Sequence, residues 1–117
     1  MEVEEIKNVV CKALSDKRGQ DITVLKVSHL TVLADYFVIC SAKSAPQVRA
    51  LAANVDEKLS KDYGIEPLHR DGEQEGRWIV MDYGNIIVHV FRDDTRMLYC
   101  LEKLWDDGTN VEKYVEE

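Results

Sequence analysis

The stretch at residues 36–64 reads YFVICSAKSAPQVRALAANVDEKLSKDYG and joins a strand signal to a helix signal. Its first five residues are apolar without alternation, as in a strand that is buried on both faces. Ser44 can form a capping box with Gln47, and Pro46 lies in the first helical turn, where its missing N–H does little harm. Apolar residues then recur at helical spacing, at Val48, Leu51, Ala52, Val55 and Leu59, until Gly64.

The residues that follow predict a third strand, a hairpin and a third helix. A strand from Ile65 to about His69 completes a right-handed strand–helix–strand unit if its two strands are parallel. A hairpin over residues 77–91 turns at Tyr83-Gly84-Asn85, because glycine accepts the positive φ of a short turn. Asp93 or Asp94 can cap the last helix. The apolar residues of that helix are Met97, Leu98, Leu101, Leu104 and Trp105.

The N-terminal part predicts a first helix and a first strand. Apolar residues from Glu2 to about Lys17 follow helical spacing, and Ile22–Val27 is rich in β-branched residues. The sum is an α/β fold: one mixed sheet of about five strands with three helices that cover roughly one face. We expect a single domain over residues 1–106 and an acidic tail, 107–117, that is frayed or a short helical extension.

The predicted hairpin is apolar on both sides. Trp78 and Val80 point one way, whereas Ile79 and Met81 point the other. A sheet face that the chain does not cover is a candidate interface. The alternative is that the third helix or the loops complete the cover.

Composition limits the classes of function. The net charge is −7, from 15 basic and 22 acidic residues, which disfavours binding mainly to nucleic-acid phosphates and favours a basic protein partner. The alternative is that acidity only keeps the chain soluble. No apolar run is long enough to span a membrane, and the acidic start, Met1 to Glu5, is unlike a targeting signal, so we expect a cytoplasmic protein.

Catalytic and metal-binding signatures are missing from the sequence. Cys11, Cys40 and Cys100 form neither a zinc motif nor a disulfide framework. The three histidines lack zinc spacing, and His89 alternates with valines as a strand residue does. There is no glycine-rich phosphate loop. We therefore expect no cofactor, no metal and no enzymatic activity.

Three blocks of the sequence resemble the Iojap-like ribosomal silencing factors. They are Asp21–Leu25 with Ala34–Ser41, then Gly76–Gly84 running into Val88–Phe91, then Arg96, Tyr99 and Leu101–Trp105. The blocks occur in order and at matching spacing across about residues 3 to 106. Together they make the resemblance specific.

The resemblance implies a fold and a function. The fold of this family is similar to that of nucleotidyltransferases but lacks their catalytic acids. Its members bind the large ribosomal subunit through the ribosomal protein L14, sterically block association with the small subunit and so repress translation when nutrients are short. The resemblance also implies a homodimer. The net charge of −7 predicts little direct contact with nucleic acid, and the lack of a long apolar run predicts no membrane association.

The central block assigns partner contact to Trp78, Val80, Asp82 and Tyr83, with Arg77 and His69 at the rim. Exposed aromatic residues ringed by charge are typical of interface hot spots. The alternatives are core packing for Trp78 and turn chemistry for residues 82–84.

Leu101, Leu104 and Trp105 are predicted as dimer or core contacts. Two other functions stay open from the sequence. They are a nucleotidyltransferase-like enzyme and a dimeric adaptor for another basic protein.

Overall fold

The computed structural model describes residues 2–115 as one mixed sheet with helices on both faces. Its helices are α1 (Val3–Asp16), α2 (Ala45–Tyr63), α3 (Asp93–Tyr99) and α4 (Leu101–Trp105). Its strands are β1 (Gln20–Lys26), β2 (Tyr36–Ala42), β3 (His69–Asp71), β4 (Trp78–Asp82), β5 (Ile86–Arg92) and β6 (Val111–Lys113). The predicted α/β class and mixed sheet are confirmed.

The strand order is β3-β4-β5-β2-β1-β6, and β2 with β5 is the parallel pair in it. The other neighbouring pairs, from β3 with β4 to β1 with β6, are antiparallel. Helix α2 therefore carries the chain from β2 in the middle of the sheet to β3 at its edge. This crossover leaves room for the β4–β5 hairpin to fill the gap.

Helix α2 begins and ends where the sequence predicts. The Ser44 side chain accepts a hydrogen bond from the backbone N–H of Gln47 at 3.3 Å, which satisfies one of the free donors of the first turn. Gly64 ends the helix in the left-handed conformation, with φ of 67°. Local signals therefore fix both ends.

The prediction of a frayed or helical tail is wrong for residues 107–115, because residues 111–113 form the sixth strand. Residues 116 and 117 of the predicted tail lie outside the described residues. The backbone of β6 pairs with β1, and the Asn110 side chain donates to the carbonyl oxygens of Lys26 and Trp105 at 2.9 and 2.8 Å. Pairing satisfies the backbone groups on one edge of β1. A three-residue strand carries too few side chains to show alternation in the sequence.

The third helix differs from its prediction in two ways. Cys100, at φ of 47°, divides it into α3 and α4. Neither Asp93 nor Asp94 caps it: the N-cap is Arg92, which makes no side-chain capping bond. The Asp94 carboxylate binds the Arg92 guanidinium at 2.7 and 2.8 Å instead.

Strand β3 is also displaced from the predicted 65–69 to residues 69–71.

The two faces of the sheet are covered unequally. Helices α1 and α2 pack on one face over the main core, which contains Val10, Leu14, Val38, Leu51, Val55, Ile79, Met81 and Val88. On the opposite face a smaller cluster contains Leu25, Val27, Ala34, Phe37, Ile39 and Phe91, with Leu101 and Trp105 of α4 packed against it. The prediction that all helices share one face is therefore wrong.

Candidate functional site

The part of the sheet opposite α2 carries a continuous row of predicted partner-binding residues. Trp78 lies opposite Phe91, Val80 opposite His89, and Asp82 opposite Ile87. Strand β3 extends the row, since His69 is opposite Asp82 and Asp71 opposite Val80. Side chains directly across a sheet share a face. We call this surface the open face; it comprises His69, Asp71, Trp78, Val80, Asp82 and Ile87.

Trp78 is the centre of an aromatic cluster on the open face. Its ring stacks on Phe91 at 4.8 Å between centroids and contacts Tyr99 of α3 at 5.1 Å. Its Nε1–H donates to Nδ1 of His89 at 3.1 Å. The indole is nevertheless only partly buried. Trp78 is thus a fixed aromatic ring with part of its surface available to a partner.

His89 is buried in β5 and accepts the hydrogen bond from Trp78. Burial lowers the pKa of His89 to about 4, so its imidazole is neutral at pH 7. Because Nδ1 accepts the tryptophan hydrogen bond, the ring proton lies on Nε2, which has no hydrogen-bond partner among residues 2–115. The strand position agrees with the prediction, although only one of the two ring nitrogens is satisfied.

A groove of about 560 Å³ lies between the open face and α3. Its lining combines apolar, aromatic and charged residues: Asp71, Gly72, Glu75, Arg77, Trp78, Val80, Thr95, Leu98 and Tyr99. We call it the β4–α3 groove. Two carboxylates and one guanidinium at the rim of an aromatic floor suit a partner that offers both apolar and basic side chains.

Gly72 brings the β3–β4 loop close to Trp78. A Cβ atom at Gly72 would lie 2.0 Å from the Trp78 carbonyl oxygen, and its φ of +85° favours glycine. The loop is closed by the Gly76 N–H, which donates to the Gly72 carbonyl at 3.0 Å. The acidic wall of the groove therefore depends on this close approach.

Tyr83 lies on the other side of the sheet from Trp78. Its ring packs against the main core, and its hydroxyl is buried without a hydrogen-bond partner among residues 2–115. Burial and the nearby Asp56 carboxylate raise the pKa of Tyr83. Asp82 makes a turn contact, since its Oδ1 accepts from Gly84 N–H at 2.7 Å. The structure therefore separates Tyr83 from the open face.

The remaining predicted residues lie at the rim of the open face, in the smaller core cluster or on the surface. Arg77 and His69 are exposed at the edge of the open face. Leu101 and Trp105 pack against the smaller cluster, and the Trp105 ring meets Phe37 edge-on at 5.2 Å. Leu104 points outward and is 76% exposed.

Sequence reasoning missed six of the nine lining residues: Asp71, Gly72, Glu75, Thr95, Leu98 and Tyr99. Leu98 and Tyr99 come from α3, whose position is set by tertiary contacts. One signal could have revealed Leu98: with Met97 it widens the apolar stripe of its helix beyond what one buried face uses. Met97 and Leu98 are in fact 78% and 77% exposed.

Neither a metal site nor a membrane span is found in the part of the chain that the structure describes. No three His, Cys, Asp or Glu side chains there are grouped to hold a metal ion. No helix within residues 2–115 is long and apolar enough to cross a bilayer. Burial raises the pKa of both the Cys11 and the Cys40 thiol to about 12, so both are protonated at pH 7.

The sheet carries fixed, partly exposed aromatic residues beside the β4–α3 groove, an arrangement that is typical of binding domains. A sequence model of the family described as "Ribosomal silencing factor during starvation" matches residues 1–117. The chain belongs to this family of ribosomal silencing factors, whose name describes regulators of translation.

Known relatives agree with this assignment. The ribosomal silencing factor RsfS of Bacillus subtilis is 38% identical over 92% of this chain and 91% of its own length. The chloroplastic protein Iojap of Arabidopsis thaliana is 28% identical over 92% of this chain and 44% of its own length. A crystal structure of a protein from Chromobacterium violaceum superimposes with a TM-score of 0.88 and 34% identity, over 99% of this chain and 95% of that one. The resemblance to Iojap-like silencing factors is confirmed.

Proposed function

We propose that this protein binds the large ribosomal subunit through the ribosomal protein L14 and sterically blocks association with the small subunit, thereby repressing translation. The observation that carries the proposal is the β4–α3 groove, with a partly exposed Trp78 as its floor. The proposed site of action is the cytoplasm. Family membership supports the ribosome as the target.

Trp78 has the properties of an interface hot spot. Aromatic residues that are already fixed before binding lose little conformational entropy when a partner covers them. Trp78 is fixed by stacking on Phe91 and by its hydrogen bond to His89. Val80 and Leu98 extend the apolar surface beside it. Most of the binding energy is therefore expected from this small centre.

Charge supports a basic partner. The whole chain carries a net charge of −7, and Asp71 and Glu75 place carboxylates at the groove. Complementary charges increase the association rate and select the partner more than they increase affinity. Binding to large subunits should therefore weaken with added salt, mainly through slower association.

Co-sedimentation with purified large subunits tests the binding step. Trp78→Ala should weaken binding by about thirtyfold or more, since a hot-spot residue contributes roughly 2 kcal/mol or more. The matched control is Trp105→Ala, which removes the same side chain from α4 outside the groove. Equal binding by the Trp78 variant and the parent, with both folded, would place the docking surface elsewhere.

A homodimer is the second part of the proposal, supported by exposed apolar side chains outside the groove. Met97 and Leu104 are 78% and 76% exposed. Leu101 and Trp105 already pack within the chain, so Leu104 is the predicted dimer residue that remains available. Sedimentation velocity should show association that Leu104→Glu reduces; a monomer at every concentration would contradict this part.

A further inference from the structure

Arg96 is a buried cation that joins α3 to the sheet. Only 7% of Arg96 is exposed. Its Nη1 donates to the Asp21 carbonyl oxygen at 2.8 Å and to Ser41 Oγ at 3.3 Å. Its Nη2 donates to Thr23 Oγ1 at 3.1 Å, and its Nε to Glu102 Oε1 at 3.0 Å. The guanidinium thus binds β1, β2 and α4 at once.

Helix α3 has few other contacts that could fix its position. Thr95 and Arg96 are its buried residues, whereas Met97 and Leu98 are mostly exposed. The helix has seven residues and no side-chain capping bond. A helix this short is not stable by itself, so its position depends on tertiary contacts. The contact of Tyr99 with Trp78 is therefore a result of how α3 is held.

A buried arginine is a costly way to attach a helix if stability alone is required. The desolvation of a buried charge offsets most of its attraction to a carboxylate, and an apolar residue of similar volume is often as stable. The planar guanidinium does provide several donors in a fixed geometry, which an apolar side chain cannot. The gain from Arg96 is thus in the position of α3.

The carboxylate partners of Arg96 extend this network to the last strand. Asp21 Oδ2 lies 3.5 Å from Nη2, and Asp21 Oδ1 accepts from Lys113 Nζ of β6 at 2.7 Å. Hydrogen bonding by Lys113, helped by the Arg96 charge, lowers the pKa of Asp21. The carboxylate is therefore charged at pH 7 and holds both cations.

We infer that Arg96 is a positioning residue: its guanidinium fixes α3 against the sheet so that Tyr99 and Leu98 form the second wall of the β4–α3 groove. The effect on partner binding rests on the proposed function. The effect on the groove itself does not rest on the proposed function, because it concerns the contact between Tyr99 and Trp78 in the free protein.

The test uses the full chain with Trp105→Phe, which leaves Trp78 as the tryptophan that is measured. In this background Arg96→Met should shift Trp78 emission to longer wavelength and increase its quenching by acrylamide, because Tyr99 no longer covers the indole. Arg96→Lys should rescue little, since an ammonium cannot reproduce the donor geometry. The matched control, Arg92→Met, removes an exposed ion pair at the start of the same helix and should leave the emission unchanged.

Binding to large subunits provides the second readout. Arg96→Met should weaken binding by about tenfold, the equivalent of 1.4 kcal/mol. In a Tyr99→Ala background, Arg96→Met should weaken binding to large subunits much less, because the wall that Arg96 positions is already lost. Additive losses, or unchanged Trp78 emission in Arg96→Met, would overturn the inference.

Two further measurements distinguish a failure of this inference from a failure of folding and from a failure of the proposed function. If Arg96→Met does not fold, Glu102→Gln removes one carboxylate partner and should give a smaller emission shift in the same direction; no shift would overturn the inference. If the parent chain does not bind large subunits, the proposed function fails, and the emission of the free protein still decides the role of Arg96.

Discussion

Trp78 contacts three aromatic side chains, His89, Phe91 and Tyr99, yet remains only partly buried. Alternation in β4 predicts which face it occupies, and the cross-strand register confirms that face. What alternation cannot predict is the wall beside it. Leu98 and Tyr99 reach the groove through a helix whose position depends on a buried arginine 75 residues from its partner Asp21.

Two substitutions at Tyr83 distinguish a role in core packing from a role in partner contact. Tyr83→Phe removes a buried hydroxyl that has no hydrogen-bond partner among residues 2–115 and should change the free energy of unfolding by less than about 1 kcal/mol. Tyr83→Ala should cost about 2 kcal/mol, because the ring packs on the main core. Urea denaturation measures both values. A loss of large-subunit binding in a stable Tyr83→Phe variant would instead show that the hydroxyl reaches a partner.

His89 makes stability depend on pH. Its pKa is about 4 in the folded protein, whereas an unfolded histidine titrates near 6.5. Between these values the unfolded chain binds a proton that the folded chain does not, so stability falls as the pH drops below about 6.5. The loss between pH 7 and pH 5 should be about 2 kcal/mol.

Urea denaturation across this pH range measures the effect of His89. The control is His89→Gln, which keeps an acceptor for Trp78 and does not titrate; its stability should be nearly constant from pH 7 to pH 5. An unchanged pH dependence in that variant would assign the titration to another group.

At the scale of elements, helix α2 and the β4–β5 hairpin follow from local sequence. A capping serine, a regular apolar stripe and a terminal glycine define α2, and a glycine turn defines the hairpin. Strand β6 and the break between α3 and α4 do not follow from local sequence. They depend on pairing with β1 and on the packing of α4 against the smaller cluster.

Cys100 is a strained position between α3 and α4. A non-glycine residue at φ of 47° costs about 1 kcal/mol or more, so Cys100→Gly should stabilise the fold by about 1 kcal/mol. Cys100→Ala removes the thiol and keeps the strain, and should change stability by less than about 0.5 kcal/mol. Thermal unfolding compares the two. Equal effects from both variants would show that the thiol, and not the backbone, is responsible.

At the scale of the whole molecule, the two faces of the sheet differ in what covers them. Helices α1 and α2 bury most of one face, whereas the short α3 and α4 cover only part of the other. The uncovered part carries the open face and the β4–α3 groove, with carboxylates at the rim and a net charge of −7 on the chain. The uncovered sheet surface was predictable from the two-sided hairpin. The groove required the placement of α3.

Inhibition of subunit association is measured by mixing purified large and small ribosomal subunits with the protein and separating the products on a sucrose gradient. Excess protein should shift subunits from the joined to the free fractions, and folded Trp78→Ala protein at the same concentration should shift far fewer. Complete joining in the presence of excess parent protein, or equal inhibition by the Trp78 variant, would contradict the account.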